Sequence, residues 1–229
     1  DLAQARSAEG AVTEHQRFGP LGLVTVLSGP SFHYLPDLSL RCPHRLPEQK
    51  GLFIDGNAVG AINRFSGDPG QLGFMSWRTA SLAYELLEEP SVLVIGGGGG
   101  SEVLNARYHR ARDISVVELN ADVVSLMNGP YRDYGGAVYG SGPVRVFAEE
   151  GRGFLDRTGE SYDLIQMVLL DSMGAATAGV YSLNENYLFT VEAFEKALLR
   201  LSPGGILSVS QWMELPPRSG MKLLAMAVE

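Results

Sequence analysis

Ser91 to Asn120 reads SVLVIGGGGGSEVLNARYHRARDISVVELN, and this stretch decides the fold. Val92 to Ile95 is a short β-branched apolar run, and five glycines follow it, Gly96 to Gly100. Ser101 and Glu102 lead into a helix-like segment, and a second β-rich run, Ile114 to Val117, ends on Glu118. The order is strand, tight glycine turn, helix, second strand. Glycine is needed in such a turn because a Cβ would obstruct both the positive φ values and the approach of a ligand to the backbone. Glu118 lies about twenty residues beyond the turn, the spacing at which a carboxylate accepts hydrogen bonds from ribose hydroxyls. A glycine run alone would equally describe a flexible linker. The strand before it and the strand-plus-acid after it favour a nucleoside site.

Working outward, the downstream chain repeats the alternation. A helix is predicted from about Ala121 to Met127, stopped by Asn128-Gly129-Pro130. Val144 to Phe147 is the third strand, with Glu149 and Glu150 at its end and a helix from about Gly151 to Arg157. Asp163 to Leu170 reads as a fourth strand. Thr190 to Leu201 has the pattern of an amphipathic helix closed by Ser202-Pro203-Gly204-Gly205, and Ile206 to Val209 is a fifth strand ending near Gln211 and Trp212. Ser219 to Val228 reads as helix. Apolar strands alternating with helices imply an α/β fold, a doubly wound, mostly parallel sheet covered on both faces. Ligands in such sheets sit beyond the carboxyl ends of the strands, where the glycine turn and several acids converge.

Upstream, Trp77 to Glu89 carries a helical apolar spacing, ended by Glu89-Pro90, and Gly67 to Gly73 reads as a loop. Leu23 to Leu27 and Gly51 to Ile54 are short β runs, and Asp55-Gly56 is a hairpin signal. Asp1 to about Gly19 is polar without a period and is expected to be a mobile lead-in. Two units are therefore expected: a small antiparallel β appendage over residues 1–73 and a nucleoside-binding unit over residues 74–229. His33, His44 and Cys42 match no standard metal-ligand spacing, so no metal is expected.

The chain has 229 residues, 45% apolar and 19% charged, which is ordinary globular composition. A net charge of −8 disfavours nucleic acid as a partner. One cysteine excludes an internal disulfide and fits a reducing, cytoplasmic compartment. No apolar run approaches the roughly twenty residues of a membrane span, so no membrane contact is expected from this segment. A chain beginning at Asp1 without methionine reads as a processed product or an excised fragment.

VLVIGGGGGSEV, VVELN, VRVFAEEGRGFL, YDLI, YLFTVEAF and LSPGGIL, in this order over about residues 92–209, resemble the spermidine synthase family. That resemblance implies a class I S-adenosylmethionine methyltransferase-like fold, with the LFIDG hairpin belonging to the family's small N-terminal β domain. DS-x-G-x-A and YSLNENYLFTVEAF are similar to a bacterial branch in which the domain is often part of a larger membrane protein. The resemblance implies an adenosyl-sulfonium donor, S-adenosylmethionine or its decarboxylated form, and a small-molecule acceptor such as a polyamine. A homodimer stays open. Carried over by position, Gly96, Gly97 and Gly98 would pack against the methionine-derived part of the donor, with Gly99 beside them. Glu118 would bind both ribose hydroxyls, with Asn120 nearby. Glu150, with Glu149 before it, would contact the adenine amino group.

The departures are specific. Aminopropyltransferases of the family read GGGDGG, where this chain has Gly99, and their catalytic D-[ST]-x-D-P aspartate falls, counted without gaps, on Val168. Asp171 is the nearest acid and the candidate for holding and deprotonating the attacking amine. The family's Tyr-His-Glu signature is absent; WRTASLAYEL stands there. Tyr181, Glu185, Tyr187 and Trp212 are candidates for an acceptor pocket, since aromatics with an acid suit an alkylammonium group. Aminopropyl transfer is the implied reaction, methyl transfer the rival, and a non-catalytic nucleoside sensor the third reading.

Overall fold

The computed structural model describes residues 2–30, 32–168, 188–212 and 215–228. Two sheets share one core. Strands β1 (Val12–Gly19), β2 (Gly22–Ser28), β3 (Gln49–Ile54) and β4 (Asn57–Asn63) form an antiparallel meander in chain order. Strands β5 (Ser91–Ile95), β6 (Asp113–Glu118), β7 (Val144–Ala148), β8 (Tyr162–Val168) and β9 (Leu201–Ser210) form a parallel sheet in the order β7-β6-β5-β8-β9. The order reverses beside β5, which places the ligand crevice of a doubly wound sheet at the end of that strand.

Side chains of β5 alternate between two layers, as the pleat requires. Val92 and Val94 join a core built with α2 (Ser101–Tyr108), α3 (Ala121–Asn128) and the antiparallel sheet, through Val103, Leu104, Leu126, Val24, Val26, Leu52 and Ile62. Leu93 and Ile95 face the other way, onto Phe154 and Leu155 of α4 (Gly151–Arg157) and Ala197 of α5 (Val191–Leu199). Each of these fully buried aliphatic side chains contributes about 2 kcal/mol. The helix expected near the end is α6 (Arg218–Val228). The Asp55-Gly56 hairpin is present, with φ of 48° and 83° at its two central residues, as a two-residue turn of this hand requires.

Three local expectations are corrected. The first nineteen residues are not a mobile lead-in: α1 (Leu2–Arg6) buries Leu2 against Leu27 and Phe53, and β1 pairs along β2. β1 is an edge strand exposed on nearly every residue, so its sequence carries no apolar alternation although its backbone is bonded.

Residues 77–89 form no α-helix. Three 3-10 segments replace it and the expected loop before it, Pro69–Trp77, Thr79–Ser81 and Tyr84–Leu86. Buried polar anchors override the apolar spacing here. Arg78 sits in extended backbone between Asp37 and Glu102. The Ser81 hydroxyl bonds the Met75 carbonyl at 2.6 Å and Asn105 Oδ1 at 2.8 Å, and Tyr84 donates to Gln166 at 2.9 Å.

Ser202-Pro203-Gly204-Gly205 does not close a helix. α5 ends at Leu199, and these residues lie within β9 where the pairing shifts, from Tyr162 opposite Leu201 to Leu164 opposite Ile206. Gly204 takes φ of 80° there, which suits glycine at a bulge.

Candidate functional site

The turn after β5 is held by its own glycines. Gly96, Gly98 and Gly100 adopt φ of 88°, 49° and 85°, a region L side chains avoid. Gly97 and Gly99 are required for a different reason. A Cβ on Gly97 would stand 2.2 Å from the Tyr139 hydroxyl, and one on Gly99 would stand 2.2 Å from the Ala61 carbonyl oxygen of β4. Tyr139 donates to the Gly98 carbonyl at 2.9 Å, so a buried phenol pins the turn from behind. Above Gly98 a Cβ would meet nothing nearer than the Val59 carbonyl at 3.8 Å. The open side of the turn is at Gly98.

Glu118 ends β6 beside this turn. One carboxylate oxygen accepts from the Gly98 amide and the other from the Asn120 amide, both at 2.8 Å. Burial pushes its carboxyl above the ordinary glutamate value, opposed by the amides of Asn120, Gly98 and Gly97. Asn120 caps α3 by accepting from Asp122 at 3.0 Å, and its buried Nδ2 has no hydrogen-bond partner among the described residues. An unfilled donor and a carboxylate at the strand ends fit the polar edge of a nucleoside.

Glu150 and Glu149 have separate local roles. Glu150 caps α4, accepting from Arg152 at 2.8 Å and Gly153 at 2.7 Å. Glu149 pairs with Arg157, whose guanidinium lies over Phe147 and Phe154.

A small cavity opens against the outer face of the turn. Gly96 to Gly99, Tyr34, Val59, Ala61, Arg78, Glu102 and Val168 contribute to its wall. Val168, the last residue of β8, thus presents an apolar side chain where the family aspartate would be counted. Trp212 lies two residues past β9, half-buried, and is not part of this wall. Asp171, Tyr181, Glu185 and Tyr187 lie outside the described residues. Among the described residues no group of three or more His, Cys, Asp or Glu side chains is arranged to hold a metal ion, and no helix is long and apolar enough to cross a membrane.

Sequence reasoning missed the charged cluster of Asp37, Arg78 and Glu102. Arg78 donates Nε to Asp37 at 3.1 Å and its other arm to Glu102, with 2% of its side chain exposed. Burial alone would depress its pKa; the Glu102 and Asp37 carboxylates more than reverse this and hold it above the usual arginine value. Glu102 follows the glycines as an acid in the first turn of α2, which reads in sequence as a dipole-favoured surface residue. The only sequence hint was an arginine inside the apolar WRTASLAYEL.

The spermine/spermidine synthase domain model matches residues 80–216. The chain belongs to this family. A polyamine aminopropyltransferase 2 of Pseudomonas aeruginosa is 27% identical over 139 residues, covering 56% of this chain and 38% of the relative. A polyamine aminopropyltransferase of Klebsiella pneumoniae is 28% identical over 116 residues, covering 50% and 37%. The match thus spans well under two thirds of these relatives. Among solved structures, a spermidine synthase in complex with the transition-state analogue AdoDATO has a TM-score of 0.61 at 12% identity, covering 94% of this chain and 62% of that one. The Thermotoga maritima spermidine synthase gives 0.61 at 13%, covering 94% and 63%. At such identities the structural likeness speaks to fold, and the shared fold takes in both sheets.

Proposed function

We propose that this spermidine synthase-family chain binds an adenosyl-sulfonium donor at the Gly98–Glu118 crevice and transfers its aminopropyl group to a polyamine. The observation that carries the reading is the Glu118 carboxylate, buried and bonded to the glycine turn at the strand-order reversal of a family member. Ribose hydroxyls would replace or share those amide bonds, with Asn120 and Glu150 along the nucleoside. Residues 1–73 roof the site and residues 74–229 carry it.

A sulfonium donor brings its own leaving group: the new carbon–nitrogen bond forms as the carbon–sulfur bond breaks, releasing a neutral thioether. The protein's share is positioning, charge matching and removal of the acceptor's proton. Val168 offers no acid, and Asp171 is the first carboxylate in the sequence after β8, so we assign it the acceptor amine.

Incubating the chain with decarboxylated S-adenosylmethionine and putrescine or spermidine should yield 5′-methylthioadenosine and a polyamine longer by one aminopropyl unit. Asp171→Asn should lower turnover about a hundredfold or more while donor affinity changes less than about threefold. Methylated product from S-adenosylmethionine would replace the reading with methyl transfer. Donor binding without product from any amine would leave a sensor.

The pH dependence follows from Glu118. Hydroxyl donors prefer the ionised carboxylate, so affinity for 5′-methylthioadenosine is full above the Glu118 pKa and lost as pH falls through it. Because burial raises that pKa, the midpoint of the loss should lie above the ordinary glutamate value of about 4.3. Calorimetric titrations between about pH 8 and 4 check this. A flat affinity over that range would count against Glu118 as the ribose ligand.

A further inference from the structure

We propose that Glu102 holds the primary ammonium of the donor's three-carbon tail, an assignment that rests on the aminopropyl reading and names the group selecting the decarboxylated donor. Three charged side chains are buried together beneath the glycine turn: Arg78, Asp37 and Glu102, with 2%, 10% and 9% of their side chains exposed. One cation and two carboxylates leave the cluster one negative charge in excess. Such a charge out of water costs several kcal/mol unless a counter-charge meets it.

The unmet valence can be located. Asp37 is engaged through both oxygens, by Arg78 Nε at 3.1 Å and by the Ala80 amide at 3.2 Å. Glu102 gives Oε1 to Arg78, and its Oε2 is buried without a hydrogen-bond partner among the described residues. Among the described residues, Arg78 and Glu102 are the only charged ones in the wall of the cavity that Gly96 to Gly99 also line. Arg78 is spoken for by two carboxylates, so the cavity as a whole attracts a cation and repels an anion.

Donor chemistry then distinguishes two ligands. The decarboxylated donor ends in an ammonium alone, which Glu102 Oε2 can accept in a charge-assisted hydrogen bond. S-adenosylmethionine would bring a carboxylate to the same net-negative cluster. Glu102 therefore supplies the negative charge that the glycine turn cannot carry at residue 99, where the Ala61 carbonyl fills the side-chain position.

The test is calorimetric titration of the chain and its Glu102→Gln variant with three ligands: decarboxylated S-adenosylmethionine, S-adenosylmethionine and 5′-methylthioadenosine. The amide keeps the shape and can still accept from Arg78. Expected is a loss of about thirtyfold in affinity for the decarboxylated donor, with 5′-methylthioadenosine, which has no tail ammonium, held within about twofold. An equal change for both ligands, or none, overturns the assignment of Glu102 while leaving the nucleoside site intact. Failure of the wild-type chain to bind any of the three removes the donor reading itself, and this inference with it. Should Glu102→Gln not fold, the wild-type ratio decides. A preference of about tenfold or more for the decarboxylated donor over S-adenosylmethionine is required, and equal or reversed affinities overturn it.

Discussion

Gly99→Asp should destabilise the chain by about 4 kcal/mol, although it places an aspartate where the GGGDGG of the aminopropyltransferases has one. The collision begins at the first side-chain atom. A Cβ at residue 99 would lie 2.2 Å from the Ala61 oxygen and 2.5 Å from its carbon, both backbone atoms that no rotamer change can move. β4 would have to be displaced, and it is bonded to β3 on one side and to the head of α2 on the other. The carboxylate would also join a cluster already one negative charge in excess. Thermal unfolding should record a fall on the order of 10 °C. Gly99→Ala separates the two causes, since it should retain most of the loss through sterics alone. A Gly99→Asp protein that melts with the wild type would mean that β4 does not sit against the turn.

Glu118→Ala should abolish measurable affinity for 5′-methylthioadenosine, a loss on the order of a hundredfold or more from two charge-assisted hydrogen bonds. The same change strips partners from the amides of Gly98 and Asn120, so the turn itself loosens. Circular dichroism and unfolding keep the interpretation clean, because the strand above Glu118 is held by Ile114, Val116 and Val117 in both core layers. Near-normal affinity in a folded Glu118→Ala protein would remove the observation on which the proposed function stands.

The parallel sheet was legible because its signals are local and strong. A buried strand, five glycines and an acid at the next strand's end admit few arrangements, and the edges of α4 fell where expected. What escaped was written in long-range contacts. β1 shows no alternation because nearly all its residues are exposed, yet its backbone pairs with β2. The 3-10 segments Thr79–Ser81 and Tyr84–Leu86 look helical in apolar spacing, and the start of Pro69–Trp77 looks like a loop. Arg78 is drawn to an aspartate 41 positions earlier and a glutamate 24 positions later, which no window of sequence reveals. In the site, Glu118 could be read from spacing. Glu102 could not, since an acid at the start of a helix has an ordinary explanation until its burial is known. Gly99 in sequence looks like a lost charge; in the fold it is the only residue that leaves room for Ala61.

The seam between the two sheets sets a limit on how this protein can be cut. Ser101, at the head of α2, donates to the Ala61 carbonyl and accepts from Asn63, which Gln49 braces from the next strand. Val24, Val26, Leu52 and Ile62 lie in the same apolar layer as Val94 and Val116. A shorter piece beginning near residue 80, where the family match starts, would strip that layer from one face of the parallel sheet and leave the glycine turn without its outer wall. Residues 80–216 are thus a unit of resemblance rather than a unit of folding, and an expression design that trims to them should give aggregated protein, whatever chemistry the retained residues support.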